Sequence, residues 1–493
     1  MPAETETIAG LVRRQAEARG SHPLLVCDDD RLSYAEAQRR STDLARGLVA
    51  LGAGKGTHVG LLHPNGSDFV VGLLAIARIG AVVVPFTTFA TAPELREQLV
   101  HSDVTILLAT SSYRGNDFAQ RLSDIRESAP LLRHALFDTL PPPGIDETLL
   151  TALEADVDGS DPLAIVYTSG STAAPKGVLH TQGALLEHQR NLNTIRGLTA
   201  HDILFCNSPF FWIGGLAFGL LATLVAGSTL VCSNATEAYR TLDLLEAQRP
   251  TMTNGFVAGI AHLARDPHLE MRDLSSMRRG NLYPVMAPEV RPRDPELRHN
   301  MLGLTEAGGV VLISGDESDQ PEHRRGSFGK PAPGFETQID EHGELCIRGP
   351  YVMQRYHKRS REECFDADGW FDTGDLVRVD ADGFYYFVGR RGSMIKTAGA
   401  NVAPAEVEKA LVRISGGATA YAFGIPDSDR GEAVVAVIAT DDPIDEASLQ
   451  NALKRELSAY KIPKRIVAVP PAQIPALSSG KVDMKRLAAM FDG

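Results

Sequence analysis

Short apolar runs alternate with longer amphipathic ones over most of the chain. HVGLLHPN, AVVVPF, TILLAT, LAIVY, STLVC and VVLIS are rich in β-branched or apolar residues and read as strands. Between them lie helical patterns such as SYAEAQRRSTDLARGLVALG. This alternation, from about residue 25 to 390, predicts a mostly parallel sheet covered by helices on both faces. After Gly389 the texture changes. APAEVEKALVRI and EASLQNALKRELSA predict helices, and ATAYAFGI, AVVAVIAT and RIVAVP predict strands, enough for a separate small domain. The expected fold class is α/β: a large N-terminal domain of mostly parallel sheets layered with helices over residues 1–389, a joint at 390–392 within GRRG, and a small C-terminal α+β domain over 393–493.

One stretch imitates a membrane span. Phe210 to Cys232, FFWIGGLAFGLLATLVAGSTLVC, carries no charge over a length that suits a bilayer. Its glycines argue otherwise: a helical apolar run, Gly227 as a C-terminal cap and the β-rich STLVC predict a buried helix followed by a buried strand. No integral membrane segment is expected.

Composition narrows the class. At 493 residues the chain exceeds one ordinary core, and 43% hydrophobic with 23% charged residues is typical of soluble, globular domains. A net charge of −13, from 49 basic and 62 acidic residues, repels a nucleic-acid backbone, so nucleic acid is not an expected partner. Cys27, Cys206, Cys232, Cys346 and Cys364 are widely spaced and form no CxxC pair, which suits a reducing compartment. MPAETETIAGLVRRQAEARG has no apolar core of the export type, and a cytoplasmic location is expected.

The candidate chemistry begins after the strand LAIVY. Thr168, Ser169, Ser171 and Thr172 set hydroxyls around Gly170, and Pro175, Lys176 and Gly177 close the turn. Glycine lets backbone N–H groups approach an anion, hydroxyls add donors, and lysine supplies a compact cation, a combination that suits phosphate oxygens. The Walker form is absent, because Pro175 precedes the lysine and Gly177 follows it.

Several further motifs occur in order: DDRLSYAEAQRRSTDLARGLVALGAGKGTHVGLL, GAVVVPFTTFATAPEL, TSGSTAAPKG, GLTEAGG, WFDTGDL, VGRRGSMIKTAGANVAPAEVE and LSSGKVDMKRL. Together they resemble the adenylate-forming superfamily of acyl-CoA synthetases, luciferases and nonribosomal peptide synthetase adenylation domains, and the resemblance covers nearly the whole chain. It implies a two-step reaction, in which a carboxylate attacks the α-phosphate of ATP to form acyl-AMP and pyrophosphate, and a nucleophile then takes the acyl group. It also implies that the N-terminal domain holds ATP and the acid while the small domain is mobile, swinging to present a different loop for each step.

By the same resemblance, catalytic roles fall to Lys481, Glu306, Thr305 and Lys396. Lys481 reaches the carboxylate and α-phosphate oxygens, Glu306 binds Mg²⁺, Thr305 contacts the α-phosphate, and Lys396 in KTAGAN serves the second step. Thr168, Ser169, Gly170, Ser171, Thr172 and Lys176 match the phosphate loop. Asp375 matches the acceptor of both ribose hydroxyls, Arg390 a contact to the nucleotide sugar, and Leu302 the lid over adenine. Trp212, Gly214, Gly215 and Gly303 are the expected walls of the acid pocket.

Departures from the family pattern carry information. Leu302 stands where a tyrosine is usual, so adenine keeps apolar contact without ring stacking. Trp212 stands where many relatives place histidine, which favours an aryl or compact hydrophobic acid. GNLYP at 280–284 lacks the usual Gly-Gly-Ala-Pro reading. Gly392 replaces an Asp or Lys at the pivot, and Ala398 is a further departure near the acceptor's route. The expected function is a carboxylic acid–CoA ligase using ATP and Mg²⁺, with CoA as co-substrate. An amide bond synthetase that transfers the acyl group to an amine is the alternative, and a non-catalytic nucleotide-binding relative a remoter one. A monomer or homodimer is expected.

Overall fold

The computed structural model of the chain describes residues 6–168, 176–390, 394–475 and 482–491, without the side chains of residues 258, 390 and 485. Two large sheets form its frame. The first has six strands in the spatial order Arg279–Gly280, Met252–Asn254, Ile203–Cys206, Thr229–Cys232, Pro23–Cys27 and Asp30–Ser33, parallel except for the terminal hairpin. The second has seven, in the order Arg355–Tyr356, Lys176–Thr181, Pro162–Thr168, Val82–Pro85, His58–Leu62, Ile106–Ala109 and His134–Phe137. Its last five strands are parallel, and the first two join antiparallel.

The helix Ser67–Arg78 reads SDFVVGLLAIAR, apolar on every face, and all of it but Asp68 is buried. A helix of that composition belongs inside a core, and it shares one apolar cluster with Leu25 of the first sheet and Leu61 of the second. Arg78, 1% exposed, is tolerated there because its guanidinium meets Glu154 at 2.5 Å and Ser41 Oγ at 3.0 Å. The helix Tyr34–Ala50 on the same core starts at a capping box, in which Ser33 and Glu36 satisfy each other's backbone N–H groups.

The uncharged stretch 210–232 is a buried helix and strand, as its glycines predict. Ile213–Gly215 runs through a π-helical stretch, Leu216–Leu221, into Ala222–Ala226; Gly227 caps it at φ +72°, and Thr229–Cys232 follows as a central strand. Among the described residues no helix is long and apolar enough to cross a membrane.

One expectation needs correcting. Parallel pairing does not persist to residue 390. VVLIS lies in an antiparallel three-stranded sheet, Leu302–Leu304, Gly309–Ile313 and Lys330–Pro331. Glu336–Ile339, Glu344–Arg348, Phe371–Val379 and Tyr385–Arg390 form a second antiparallel sheet. Leu302–Leu304 to Gly309–Ile313, Glu336–Ile339 to Glu344–Arg348 and Phe371–Val379 to Tyr385–Arg390 are joined by short connections that only antiparallel pairing allows, and no α-helix crosses over between any of these strands.

The C-terminal part is a small α+β unit. Ala420–Asp427 and Gly431–Ala439 form a hairpin, Ile395–Thr397 and Arg465–Val469 also pair with Gly431–Ala439, and Ala400–Val402 pairs with Ile395–Thr397. Pro404–Ile414 packs its buried face, Val407, Ala410 and Leu411, on this sheet.

Candidate active site

Several of the expected site residues meet at a cleft between the N-terminal sheets and the C-terminal unit, whereas Glu306 and Lys176 are not part of its lining. A cavity of about 410 Å³ is walled by Thr168, Trp212, Leu302, Thr305, Asp375 and Lys396. Thr168 ends the strand Pro162–Thr168, and its cross-strand partner is Lys176, which opens the returning strand. Gly214 and Gly303 also line the cavity. Gly215 does not; it packs behind the wall, where a Cβ would come within 2.1 Å of the Pro209 carbonyl oxygen. Ser169, Gly170, Ser171, Thr172 and Lys481 lie outside the described residues, as do Gly392 and the side chain of Arg390.

Thr305 and Glu306 form a single 3₁₀ turn, Thr305–Ala307, closed by Gly308 at φ +65°. Three bonds anchor it. Met353 N–H donates to the Glu306 carbonyl oxygen at 2.7 Å, and Tyr356 Oη donates to Glu306 Oε1 at 2.7 Å in a buried setting. His180 Nε2 lies 2.7 Å from the Thr305 carbonyl oxygen, which can only accept, so the ring nitrogen carries the proton. Burial holds the His180 pKa down at about 4 and keeps the ring neutral. The Tyr356 phenol is pushed up, first by burial and then by the Glu306 carboxylate. Its ring also carries the Lys176 ammonium 5.2 Å from the centroid. Tyr356 therefore touches both the glutamate and the lysine that were read separately from the sequence.

Asp375, 2% exposed, lies in the strand Phe371–Val379 and not in a bare turn. Its backbone is pinned: Asp375 N–H donates to Thr373 Oγ1 at 3.1 Å, and Gly374 N–H to Glu344 Oε1 at 2.7 Å. Asp375 stands opposite Arg390 in the strand register. Lys396 comes from the C-terminal unit. Its backbone N–H donates to Glu432 Oε2 at 2.5 Å, and its ammonium lies 4.1 Å from the centroid of the Phe387 ring. The turn that follows is tight, with Ala398 at φ +49° and Gly399 at φ +82°, and a Cβ on Gly399 would meet the Phe256 ring at 2.6 Å.

Several residues of the site had no signal in the local sequence. A second cavity, about 700 Å³, adjoins the first and shares Phe211, Trp212, Phe256, Ala400 and Tyr460 with it. Trp212 stands between them within an aromatic group, its ring 6.1 Å from Phe89, 6.2 Å from Phe256 and 6.5 Å from Tyr460. Arg114, Arg121, His262 and Lys454 line the second cavity, and among the described residues no carboxylate does. The first cavity is different, with Glu94, Glu97, Glu406 and Lys461 on its wall. Tyr460 and Lys461 occur in AYKIP, a short stretch that no periodicity marks.

A strand end, a buried aspartate and a threonine turn of the N-terminal part thus meet a lysine loop from the C-terminal unit at one cavity. The AMP-binding enzyme family matches residues 12–357, and its C-terminal domain matches residues 406–481. The chain belongs to this family. It is 30% identical to the indoleacetate–CoA ligase of Aromatoleum aromaticum, over 93% of each chain. Among solved structures it is similar to o-succinylbenzoate CoA synthetase (MenE) from Bacillus subtilis bound with its product analogue OSB-NCoA, with a TM-score of 0.77, 25% identity, and 97% of this chain and 98% of that one covered. It is also similar in fold to the amide bond synthetase McbA from Marinactinospora thermotolerans, with a TM-score of 0.81, 24% identity, and 98% and 99% covered. The protein is an AMP-forming ligase of this family.

Proposed function

We propose that this protein joins a carboxylic acid to AMP at the expense of ATP and then passes the acyl group to the thiol of CoA. In the first step a carboxylate oxygen bonds to the α-phosphorus, the bond to the β-phosphate oxygen breaks and pyrophosphate leaves. Thr168 and Thr305 supply hydroxyls toward the phosphates, Asp375 accepts the ribose hydroxyls, and Lys481 is the cation brought up by the C-terminal unit. Glu306 is a hard, buried carboxylate with one oxygen already held by Tyr356, and no group of three or more His, Cys, Asp or Glu residues converges among the described residues. That donor set fits Mg²⁺, which takes one or two protein carboxylates and fills its shell with phosphate oxygens and water. Bound there, the ion neutralises charge on the triphosphate.

In the second step the thiol sulfur attacks the acyl carbon and AMP leaves. Lys396, Gly399, Ala400 and Asn401 line the first cavity, which supports a role for their loop in this step; a rotation of the C-terminal unit about residues 390–392 is the motion assigned to exchanging this loop for Lys481. The observation that carries the CoA assignment is the second cavity. It is roomy, aromatic near the reaction centre and lined by Arg114, Arg121, His262 and Lys454 without a carboxylate among the described residues, which suits a long acceptor bearing several phosphates. The flat Trp212 ring and Leu302 support an aryl or compact hydrophobic acid.

A second reading, transfer to an amine, is supported by Glu97 on the wall of the first cavity, beside the Lys461-paired Glu94 and Glu406, as a carboxylate that can draw in an amine and take up its proton. Incubating the protein with ATP, Mg²⁺ and a panel of aryl and aliphatic acids, with either CoA or a panel of amines, and weighing the products decides between the two. A thioester supports the first reading, and an amide without any thioester overturns it. If acid-dependent pyrophosphate exchange is also lacking, the chain is a nucleotide-binding relative without ligase activity.

A further inference from the structure

The polar contacts between the C-terminal unit and the N-terminal sheets centre on one place. Glu94 lies in the first turn of the helix Ala92–Ser102, where its Oε2 accepts from the Thr91 backbone N–H at 2.7 Å. Lys461 approaches from the C-terminal unit and donates to Glu94 Oε1 at 2.7 Å and to Glu406 Oε1, in its own unit, also at 2.7 Å. Ser458 adds two bonds, its N–H to Glu94 Oε1 at 3.2 Å and its Oγ to Glu94 Oε2 at 2.7 Å. Thr91 Oγ1 lies 3.0 Å from the Glu456 carbonyl oxygen. The side chains of Lys461, Glu94 and Glu406 are 9%, 14% and 21% exposed, so water screens this group far less than the exposed Arg265–Asp429 pair that also joins the two parts. Burial opposes the charge on Lys461, but Tyr460, Glu94 and Glu406 outweigh it and hold the ammonium above the usual lysine value.

The arrangement is asymmetric. Lys461 keeps Glu406 whatever the C-terminal unit does, because both belong to that unit; of its two carboxylate partners only Glu94 lies across the boundary, where Ser458 Oγ also approaches the Phe89 carbonyl oxygen at 3.0 Å. A rigid rotation breaks those bonds, while Lys461 retains Glu406 and Glu94 retains Thr91. The partners then become wet, and neither is left buried as an unpaired charge. The two poses are therefore separable at modest cost. The same segment holds Tyr460 against Trp212 and Phe89.

We propose that Glu94, Ser458 and Lys461 form a clasp whose closure positions the Lys396 to Asn401 loop for acyl transfer, and whose opening is the step that frees the C-terminal unit to present Lys481. These are positioning residues, acting through the loop they hold. The inference rests on the two-step reading above, and its test has an arm independent of that reading.

The chain has two tryptophans. In a Trp370→Phe background Trp212 is the sole tryptophan and reports whether Tyr460 covers it. Glu94→Gln keeps the helix cap, because a carboxamide oxygen still accepts from Thr91, but removes the charge that meets Lys461. The expected result is a red shift of the Trp212 emission and an increase in acrylamide quenching of about twofold or more. With an acid from the panel that supports exchange, pyrophosphate exchange holds or rises while single-turnover transfer to CoA falls about tenfold or more. Ser458→Ala is expected to move both readouts the same way but less. Unchanged emission and unchanged transfer in Glu94→Gln overturn the clasp. So does an equal fall in exchange and transfer, which marks a residue that shapes the nucleotide cavity and not the pose. Absence of exchange in the unmodified protein defeats the two-step reading alone, and the emission arm still decides whether the clasp exists.

Discussion

Tyr356 does the work of linking two motifs that lie far apart in the chain. Its hydroxyl donates to Glu306 Oε1, and its ring lies under the Lys176 ammonium. Tyr356→Phe keeps the ring and removes the donor, leaving a buried carboxylate oxygen short of a bond worth roughly 1.5–3 kcal/mol when the acceptor is charged. Adenylation is expected to fall about tenfold or more, with a higher Mg²⁺ concentration needed for half-maximal pyrophosphate exchange, and a Mg²⁺ titration of the two proteins checks this. His180 acts from behind the same turn. Its pKa is lowered from 6.5 to about 4 by burial, so the unfolded chain binds the proton more readily than the folded one between those values. Stability is therefore fully present above about pH 6.5 and is lost as the pH falls toward 4. From this group alone the loss between about pH 7 and pH 5 is about 2 kcal/mol. Urea unfolding at the two pH values, compared with His180→Gln, is expected to show that share of the pH dependence removed in the variant.

At the scale of elements, the site is made of strand ends and turns that rigid neighbours hold in place. The loop after Ile395–Thr397 is the clearest case, since Ala398 and Gly399 both lie in the left-handed region and Gly399 abuts the Phe256 ring. Alanine at 399 adds a methyl where 2.6 Å is available, at a backbone conformation that disfavours it. Gly399→Ala is expected to slow transfer from acyl-AMP to CoA about tenfold or more while altering pyrophosphate exchange much less, measured as separate half-reactions. The elements themselves were largely legible. LAIVY, AVVVPF, HVGLLHPN and TILLAT carry the composition of buried parallel strands, and they form one sheet. VVLIS has the same composition and pairs antiparallel. A short apolar run does not encode its partner's direction, which is set by how the flanking elements pack around it.

For the whole molecule the decisive property is how charge is distributed. The chain carries −13 overall, yet the larger cavity is lined by Arg114, Arg121, His262 and Lys454. An anionic acceptor is repelled at long range and attracted only near that wall, and both effects weaken as the Debye length shrinks. Contacts at the cavity wall are short-range and dominate binding, so raising NaCl from about 50 to about 300 mM is expected to raise the KM for CoA several-fold, with a smaller change in the KM for the acid. Steady-state kinetics at the two salt concentrations, with Lys454→Ala as a variant already weakened at low salt, checks it.

The sequence alone determined what is local: the alternation of buried strands and helices, the Gly227 cap, and the ordered motifs that mark an adenylate-forming chain. These are set by side-chain periodicity, backbone φ preferences and the chemistry of neighbouring groups, all of which operate over a few residues. The tertiary structure alone decided which groups meet across long separations, such as Tyr356 with Glu306 over 50 residues and Lys461 with Glu94 over 367. It also decided which cavity is basic and which acidic. Such pairings depend on how sheets and domains pack in three dimensions, and packing contacts leave no periodic trace in the chain that makes them.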